Sequence, residues 1–379
     1  MTNDRFFPGL KGVVGGETEI SAHQTQALYR GYRVIDLVEC SSFKESAYLI
    51  LYGQLPSEEQ LADFSALMSD AAEITPDYRE FLQQIPPQVS LGNVMQMAMP
   101  LLAARDQSIE SLNTREKQIE IGQKLSLKLL ARLPQITADR YASTQGMKSG
   151  PFRFDLSFAE NLFVQFQCRH QIPTHHEQAL EAALVILCDP AFDASTFSAR
   201  LAASTGANLY ACLSAALGTF NGQMMISGIE AVHQFLDLID SPSDTKQVVK
   251  TFYHQQRQIP GFARRVDHSY NDRERLLTRI CQKLAVEMGA EELEQTADAV
   301  EKYAYDEALL IPNENWVLAR LFHYLGFDRQ VHPALAAIGR ICGWCAHIFE
   351  QYGSDRPYSP DLRYRGHAPI EFEPLEIRE

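Results

Sequence analysis

The stretch Gly218–Val232 has the residue types and spacing of a turn that could hold an anion or a reactive group. Gly218, Gly222 and Gly228 allow the chain to bend sharply between two helical patterns. A helix that begins after such a bend points its free backbone N–H groups into it. The middle of the bend is Met224-Met225-Ile226, and these side chains cannot transfer a proton. The sequence therefore predicts a binding loop whose own side chains do no acid–base chemistry.

Composition restricts the kinds of protein and partner that this chain can be. The 379 residues, 45% hydrophobic and 22% charged, are ordinary for a globular protein of two domains, or of one large domain with a subdomain. The net charge of −14, without a basic stretch, argues against a nucleic-acid partner. The N-terminus has no basic segment followed by an apolar one, and no apolar run approaches the ~20 residues that span a bilayer. We expect a cytoplasmic protein with no membrane partner.

The seven cysteines are an odd number and lie scattered through apolar patterns, which is typical of reduced, mostly buried thiols. Cys342-Gly-Trp-Cys345 matches a C-x-x-C spacing, but it lies within a helical pattern and has no βαβ unit around it. We interpret this pair as core packing. No metal site and no bound redox cofactor is expected.

Helical periodicity dominates the chain and predicts a mostly α protein. A capping box is expected at Ser42, with Glu45 three residues later. A short β-ribbon or turn is expected at Gly9–Ile20, no alternating strand is expected beyond the N-terminus, and the tail Ser354–Glu379 is expected to be extended. A helix break is predicted at Pro134. The predicted helical segments are Leu61–Asp70, Val94–Ala104, Ile109–Leu133, Phe158–Gln167, His176–Leu187, Ala194–Leu217, Glu230–Leu238, Asp244–Gln258, Asn271–Met288, Ala290–Tyr305, Val317–Leu325 and Leu335–Tyr352.

A series of short matches, in the right order, makes the chain resemble the citrate synthase family over nearly its whole length. The matching segments are Gly9-Leu-Lys-Gly-Val-Val, Glu17-Thr-Glu-Ile-Ser21, Leu28-Tyr-Arg-Gly-Tyr32, Ala47-Tyr-Leu-Ile-Leu-Tyr-Gly-Gln-Leu-Pro56, Ala194-Ser-Thr-Phe-Ser-Ala-Arg200, Pro260-Gly-Phe262 with Arg265-Val266, and Gly343-Trp344 with His347. The resemblance implies a homodimer of mostly α subunits. Each subunit would have a large helical domain (1–225 and 321–379) and a smaller one (226–320), with the active cleft between them.

The positions that carry catalysis in that family differ in this chain. The reaction of the family joins the methyl carbon of an acyl-CoA to a 2-oxo acid, so it needs a carboxylate base and a donor for the enolate oxygen. The resemblance puts Met225 at the enolising histidine and Asn315, in Pro312-Asn-Glu-Asn315, at the catalytic aspartate. Pro190 replaces a second histidine, and Arg264 replaces the histidine that faces the oxo acid. We therefore expect a divergent member without ordinary citrate synthase activity.

The arginines that bind carboxylates in the family have counterparts here. Arg273, Arg340 and Arg356 match them, and Arg356 resembles the arginine that the tail of a partner subunit lends. Arg264 adds a planar, permanently charged group suited to a carboxylate or phosphate. Structural ion pairs with the many carboxylates are the alternative for each of these arginines. The resemblance also implies that Pro260, Gly261 and Phe262 lie against the adenine of CoA.

Other acids and bases near the implied cleft could supply new chemistry. They are Asp189, Asp193, Glu230, Asp267, His268, Tyr270 and Glu314. Two hypotheses follow. The first is a transferase or lyase that uses a CoA thioester and a 2-oxo or polycarboxylic acid by altered chemistry. The second is a catalytically silent homologue that binds a carboxylate, CoA or a partner protein and regulates. A titratable group of raised pKa that points into the cleft would favour the first.

Overall fold

The protein is built almost wholly of helices, as the sequence predicts. The computed structural model describes residues 6–10, 12–22, 26–72, 74–106, 108, 114–189, 192–222, 227–264, 272–354, 356–375 and 378. Within these ranges the helices are α1 (Val34–Cys40), α2 (Phe43–Tyr52), α3 (Glu58–Ala71), α4 (Pro76–Gln84), α5 (Leu91–Ala103), α6 (Arg115–Thr144), α7 (Phe158–Gln167), α8 (Thr174–Leu187), α9 (Ala194–Ser204), α10 (Leu209–Phe220), α11 (Ser227–Leu236), α12 (Thr245–His254), α13 (Asp272–Met288), α14 (Glu291–Ala308), α15 (Glu314–Tyr324) and α16 (His332–Tyr352). None of them is long and apolar enough to cross a membrane.

Helix α16 is the centre of the fold. Every one of its residues except Pro333 and Glu350 is buried, which is the pattern of a helix surrounded by protein on all sides. It contacts α2, α5, α6, α8, α9, α10 and α11. Cys342 and Cys345 are buried in it as free thiols, so the prediction of core packing is confirmed. Because α16 also carries Arg340 and His347, the core itself fixes where these side chains lie.

The N-terminal ribbon follows Gly9–Ile20 rather than occupying it. Strands β1 (Ser21–Ala22), β2 (Leu28–Tyr29) and β3 (Tyr32–Arg33) pair antiparallel in that order. Arg30 and Gly31 both have positive φ and form the tight turn between β2 and β3. Of the two alternatives for Gly9–Ile20, the ribbon is wrong, because the glycines of 9–16 offer few side chains to pack, whereas Tyr29 is fully buried and anchors the strands.

Local capping chemistry explains several helix starts. Ser42 and Glu45 form the predicted capping box of α2, and Ser157 with Glu160 forms another at α7. Ser57 and Gln60 do the same for α3. These starts are fixed by residues within one turn, and for that reason the box at Ser42 could be predicted.

Three expectations about the elements are wrong. Helix α6 continues through Pro134, because its packing against α3, α5, α7 and α16 offsets the hydrogen bond that proline removes. The segment Ala194–Leu217 is two helices, since Gly206 takes a left-handed conformation and Asn208 caps α10. A second β pairing joins β4 (Phe262–Arg264) to β5 (Leu310–Pro312), and strands of this length leave no alternating pattern.

Strand β5 leads directly into α15, so the β4–β5 pairing fixes where α15 begins. Helices α11 to α15 make contacts with one another, and α13 and α15 also contact α8. The predicted domain limits at 225 and 320 stay a prediction.

The described part of the tail, 356–375, has no strand or α-helix, and it is extended as expected.

Candidate functional site

The first turn of α15 meets the first turn of α11. Asn313 caps α15, and its side-chain oxygen accepts a hydrogen bond from the backbone N–H of Asn315 at 3.0 Å. A Cβ atom built on Gly228 would overlap Nδ2 of Asn315. Asn315 therefore lies against the helix that follows the Met224–Ile226 segment. The structure thus brings together the two stretches that the sequence singled out.

Arg340 projects from α16 towards the same helix start. Its side chain is buried, and its guanidinium lies over the ring of Phe220 at 4.8 Å from the centroid. Nη1 donates to the backbone oxygen of Ala336 at 2.9 Å, and Nη2 donates to Oε1 of Glu314. Glu314 is the first residue of α15. A predicted ligand-binding arginine is therefore already paired with a carboxylate of its own chain.

Arg273 is a second buried cation beside Glu314. It lies in the first turn of α13, and Nη1 donates to the backbone oxygen of Asp189 at 3.2 Å. Burial alone would lower the pKa of Arg273, but Tyr29, Glu314 and Glu274 outweigh it and hold the pKa above its ordinary value. The charge of Arg273 is thus firmly kept. Glu314 lies in the field of both buried arginines.

Asp189, whose backbone oxygen accepts from Arg273, also belongs to a buried chain of polar groups. Its Oδ2 lies 3.1 Å from Nε2 of His347, and both side chains are 1% exposed. Nδ1 of His347 lies 3.2 Å from Nη1 of Arg200, which also donates to Glu350. Tyr29 completes the site, since its hydroxyl donates to the backbone oxygen of Ile186 at 2.8 Å and accepts from the N–H of Asp189 at 3.3 Å.

The partners of His347 determine what its ring can do. A guanidinium can only donate, so Nδ1 of His347 accepts from Arg200. Nε2 must then carry the proton and donate it to Asp189. Both ring nitrogens are used in fixed roles within the core. This arrangement positions Asp189 and Arg200, but it leaves His347 no free nitrogen with which to take a proton from a ligand.

The Pro260–Phe262 segment holds the start of α15. Gly261 has φ of +79°, and an added Cβ would lie 2.8 Å from Val232 and 3.0 Å from Trp316. Its carbonyl oxygen accepts from the N–H of Asn313 at 2.8 Å. The ring of Phe262 is 3% exposed and packs on Trp316, with centroids 4.8 Å apart. Phe262 is therefore part of the core, and a ligand here would meet the backbone and Pro260.

Arg356 lies on the exposed tail and not beside Arg340 or Arg273. It borders a cavity of about 1030 Å³ together with Arg200, Glu350 and the 14–19 segment. Arg264 ends β4 opposite Leu310, but its side chain lies outside the described residues. Of the four predicted arginines, Arg273 and Arg340 thus lie together near Glu314, and Arg356 lies elsewhere in the same chain. For Arg264 only the backbone is described.

The remaining predicted residues fall into two groups. Met225, Pro190, Asp267, His268 and Tyr270 lie outside the described residues. Asp193 caps α9 by accepting from the N–H of Thr196 at 2.8 Å, so it has a structural role. Glu230 is exposed on α11. Among the described candidates, Glu314 is the acid whose side chain accepts from Arg340.

The sequence indicated the individual residues of the candidate site, but not which of them contact each other. Glu314 and Asp189 were candidates, and Arg200 and His347 belong to matched segments. Nothing in the order of residues indicates that Glu314 would meet Arg340, which is 26 positions away, or that Asp189 would meet His347, 158 positions away. Polar residues within an otherwise apolar helical pattern, such as Arg340 in α16, were the available signal.

A group of possible metal ligands lies at the other end of α8. The ligand atoms of His175, His176 and Glu287 all fall within 4.8 Å of one another. Asp189 follows the last turn of α8, which at ~1.5 Å per residue puts this group roughly 20 Å from the arginine pair. It is therefore separate from the candidate site.

Comparison with known proteins gives the same family over most of the chain. The family model "Citrate synthase, C-terminal domain" matches residues 9–363. The 2-methylcitrate synthase of Shewanella oneidensis is 26% identical over 374 residues, covering 98% of this chain and 97% of that protein. The citrate synthase of Mycolicibacterium smegmatis is 29% identical over 367 residues, covering 96% of both chains.

Solved citrate synthase structures have the same fold as this chain. The citrate synthase of Thermotoga maritima superposes with a TM-score of 0.87 at 28% identity and covers 98% of this chain and 99% of that one. The Thermoplasma acidophilum enzyme, in a ternary complex with carboxymethyl coenzyme A and oxaloacetate, gives 0.90 at 22% identity, covers 99% and 100%, and supports the fold alone. Because the family model spans nearly the whole sequence and the helical fold is the same, this chain belongs to the citrate synthase family.

Proposed function

We propose that this protein uses the citrate synthase fold to bind a carboxylate ligand, with a CoA thioester as a second ligand, and does not carry out the ordinary citrate synthase reaction. The observation that carries the proposal is Asn315. It stands at the first turn of α15, against Gly228, where the family resemblance expects the aspartate that removes a proton. An amide can accept and donate hydrogen bonds there but cannot act as a base.

Both the base that would remove the proton and the donor that would stabilise the enolate are missing. The resemblance puts Met225 at the enolising histidine, and a thioether cannot donate to an enolate oxygen. General acid–base help contributes typically ~10²–10⁴-fold, so the rate of the ordinary reaction should fall by at least that factor. His347 does not replace the missing groups, because Arg200 and Asp189 use both of its ring nitrogens.

Anion binding is supported by Arg340 and Arg273. Both are buried, a guanidinium is permanently charged, and Arg340 donates to Glu314 in the first turn of α15, where the helix dipole adds to the positive potential. Arginine is almost never fully buried unless it is paired, and these two stand at positions that the family resemblance gives to carboxylate-binding arginines. The proposed ligand is a small carboxylate that these arginines orient.

The assembly that we propose is a homodimer. The tail exposes a row of large apolar side chains that are between 75% and 97% exposed, namely Leu362, Tyr364, Ile370, Phe372 and Leu375. A monomer rarely leaves such a stretch uncovered. A second copy of the chain would cover it and would bring Arg356 towards the site of its partner.

A transferase or lyase with altered chemistry is the second candidate. Glu314 favours it, since this residue places a carboxylate next to Asn315 in the same helical turn. Its pairing with Arg340 disfavours it, because the carboxylate is already hydrogen-bonded to a guanidinium of its own chain. Release of CoA from a thioester in the presence of a 2-oxo acid would support this candidate.

A thermal-shift panel joined to a CoA-release assay tests the proposal. CoA, acetyl-CoA, propionyl-CoA, pyruvate, oxaloacetate and citrate are each added to the wild-type protein. A ligand at ~100 times its Kd should add about 2.7 kcal/mol to the free energy of unfolding. We expect a response to at least one carboxylate that Arg340→Lys weakens, and no CoA release above background from acetyl-CoA and oxaloacetate.

The control is Arg329→Lys, which alters an exposed ion pair with Asp237. It should leave the ligand response unchanged. CoA release at an ordinary enzymatic rate would refute the loss of the citrate synthase reaction. No response to any compound would refute both ligand-binding functions.

A further inference from the structure

The start of α8 brings two histidine rings together with a carboxylate from α13. His175 and His176 lie in the first turn of α8, and Glu287 is the last residue but one of α13. Nε2 of His175 lies 2.6 Å from Oε2 of Glu287, and the two imidazole rings meet edge to face with centroids 4.6 Å apart. One ligand atom from each of the three residues lies within 4.8 Å of the other two. The three side chains therefore converge between the two helices.

This convergence is unusual for adjacent residues of a helix. Successive side chains of an α-helix point roughly 100° apart and normally do not face each other. Here both rings bring a nitrogen towards the carboxylate of Glu287. The contact of His175 with Glu287 alone would be an ordinary exposed pair, and such a pair does not need a second imidazole. The position of His176 is thus what a simple ion pair leaves unexplained.

His176 is the fixed member of the group. It is 6% exposed, and within the part of the chain that the structure describes, its buried Nδ1 has no hydrogen-bond partner. A buried polar atom without a partner is costly, so its presence points to a missing ligand. Burial is the main cause that lowers the pKa of His176, so the ring is neutral at pH 7 and keeps a lone pair for a metal ion.

The ligand set and its dimensions suit zinc. Imidazole nitrogen and carboxylate oxygen are both ordinary zinc ligands, and bond lengths of ~2.0–2.1 Å in a tetrahedral site put the ligand atoms about 3.4 Å apart. The spacing of this group, from 2.6 Å up to 4.8 Å, brackets that value. The side chains of His175 and Glu287 are 48% and 46% exposed. They can therefore adjust to an ion and leave a path by which it enters, with water as a fourth ligand.

We propose that His175, His176 and Glu287 bind a zinc ion, which bridges the first turn of α8 and the last turn of α13. The positive charge of Arg169 also acts on His176 and opposes a cation, whereas the carboxylate of Glu287 favours one. The sequence predicts no metal site, and the group is visible only in the packing of α8 against α13. This inference does not rest on the proposed carboxylate binding.

The ion would hold one end of a helix pair whose other end lies at the candidate site. Arg273 is in the first turn of α13, and its Nη1 donates to the backbone oxygen of Asp189, just after the last turn of α8. The two helices are thus in contact through side chains at both ends. A bound ion would add a coordinate link where the structure now has the exposed pair of His175 and Glu287.

Calorimetric titration of the full-length, chelator-treated protein with Zn²⁺ tests the site. We expect one Zn²⁺ per chain in the wild type. His175→Ala and Glu287→Gln change exposed residues and leave the buried His176 in place. Each should weaken zinc binding by ~10–100-fold or more, because losing a ligand costs at least as much as losing an outer partner of a ligand. Zn²⁺ should also raise the melting temperature of the wild type more than that of either variant.

His254→Ala and Glu291→Gln are the matched controls. Each makes the corresponding change at an exposed residue outside the group. Both should bind Zn²⁺ as the wild type does, and circular dichroism verifies that all four variants are folded. If the controls weaken zinc binding as much as His175→Ala and Glu287→Gln do, the effect is general and the assignment is wrong.

Co²⁺ in place of Zn²⁺ identifies the ligand atoms. A four-coordinate site of nitrogen and oxygen ligands gives visible absorption bands, and ligation by exposed Cys40 or Cys168 would add a thiolate band in the near ultraviolet. We expect the visible bands without the thiolate band in the wild type, and their loss in Glu287→Gln. A thiolate band would overturn the assignment. Equally weak binding in wild type and all variants would show an adventitious ion only and would also overturn it.

Discussion

His332 and His233 show how burial sets the behaviour of a single side chain. Nε2 of His332 donates to the backbone oxygen of Phe327 at 2.9 Å, so its Nδ1 accepts from Nε2 of His233 at 2.9 Å. Burial is the main cause that lowers the pKa of His332 to about 3 and that of His233 to about 4. His323 and Arg329 lower both further. The pair therefore stays neutral in the folded protein.

This pair should make the fold sensitive to acid. Unfolded histidine has a pKa near ~6.5, so below that pH the unfolded chain takes up protons that the folded chain does not. The contribution of the pair to stability is complete above pH ~6.5 and is lost as the pH falls towards about 4. We expect the free energy of unfolding to decrease less in His332→Gln than in wild type when the pH is lowered from 7 to 5. Urea titrations at several pH values in this range measure it.

Exposed His254 provides the comparison for that measurement. His254→Gln should keep the wild-type slope. If His332→Gln and wild type lose stability in parallel, the histidine pair does not control the response, and the protonation of carboxylates alone explains it.

Residues within one helical turn were predictable, and partners across the chain were not. The capping box of Ser42 and Glu45 needs only a spacing of three residues. The Glu314–Arg340 and Asp189–His347 contacts depend on where α15 and α8 meet α16, and the packing of the whole core decides that. For this reason the sequence indicated candidate acids and arginines but not their pairing.

At the level of elements, α16 and the end of α8 approach each other more closely than side chains allow. A Cβ atom built on Gly343 would overlap the backbone oxygen of Cys188. This contact sets the position of Asp189, the next residue, opposite His347 on α16. A glycine in mid-helix normally weakens the helix by roughly 0.5–1 kcal/mol, so here it is kept for the close approach.

Gly343→Ala should therefore destabilise the protein in spite of its better helix propensity. Overpacking against backbone costs typically ~1–3 kcal/mol, and a backbone oxygen cannot rotate away as a side chain can. Urea denaturation at pH 7 measures the loss. Gly228→Ala is the comparison, because its new Cβ would meet the movable amide of Asn315. A smaller loss in Gly343→Ala than in Gly228→Ala would contradict the close-approach explanation.

The elements also show why a sequence pattern fails at some boundaries. Pro134 looks like a helix end, but α6 is buried on several sides and tertiary contacts keep it continuous. Strands β4 and β5 pair across a long separation in sequence and have three residues each, so neither carries a detectable alternation. The mostly helical class could be predicted from periodicity, whereas these short irregular joints could not.

At the scale of the whole molecule, a single chain does not explain why the apolar residues of the tail are exposed. Its apolar residues face solvent, and Arg356 borders a cavity with Arg200 and Glu350 instead of the arginines that it was expected to join. We predict a dimer by light scattering after size exclusion, and a shift towards monomer in a chain that ends at Ser354.

The matched control replaces Leu362, Ile370 and Phe372 by serine and leaves the length of the tail unchanged. It should weaken the dimer in the same direction, because the apolar contacts rather than the presence of the segment hold the copies together. A truncated chain that stays fully dimeric would show that the tail is not part of the interface.

Each of the two tryptophans of the chain neighbours a residue of the candidate site. Trp316 follows Asn315, packs on Phe262 and donates to Glu301 at 2.9 Å. Trp344 lies edge-on to Phe220, the ring that Arg340 covers, with centroids 5.5 Å apart. Both indoles are buried, so their fluorescence reports on the core and not on solvent. If a carboxylate binds as proposed, we expect a change in this fluorescence, and Trp344→Phe would assign the remaining signal to Trp316 at the start of α15.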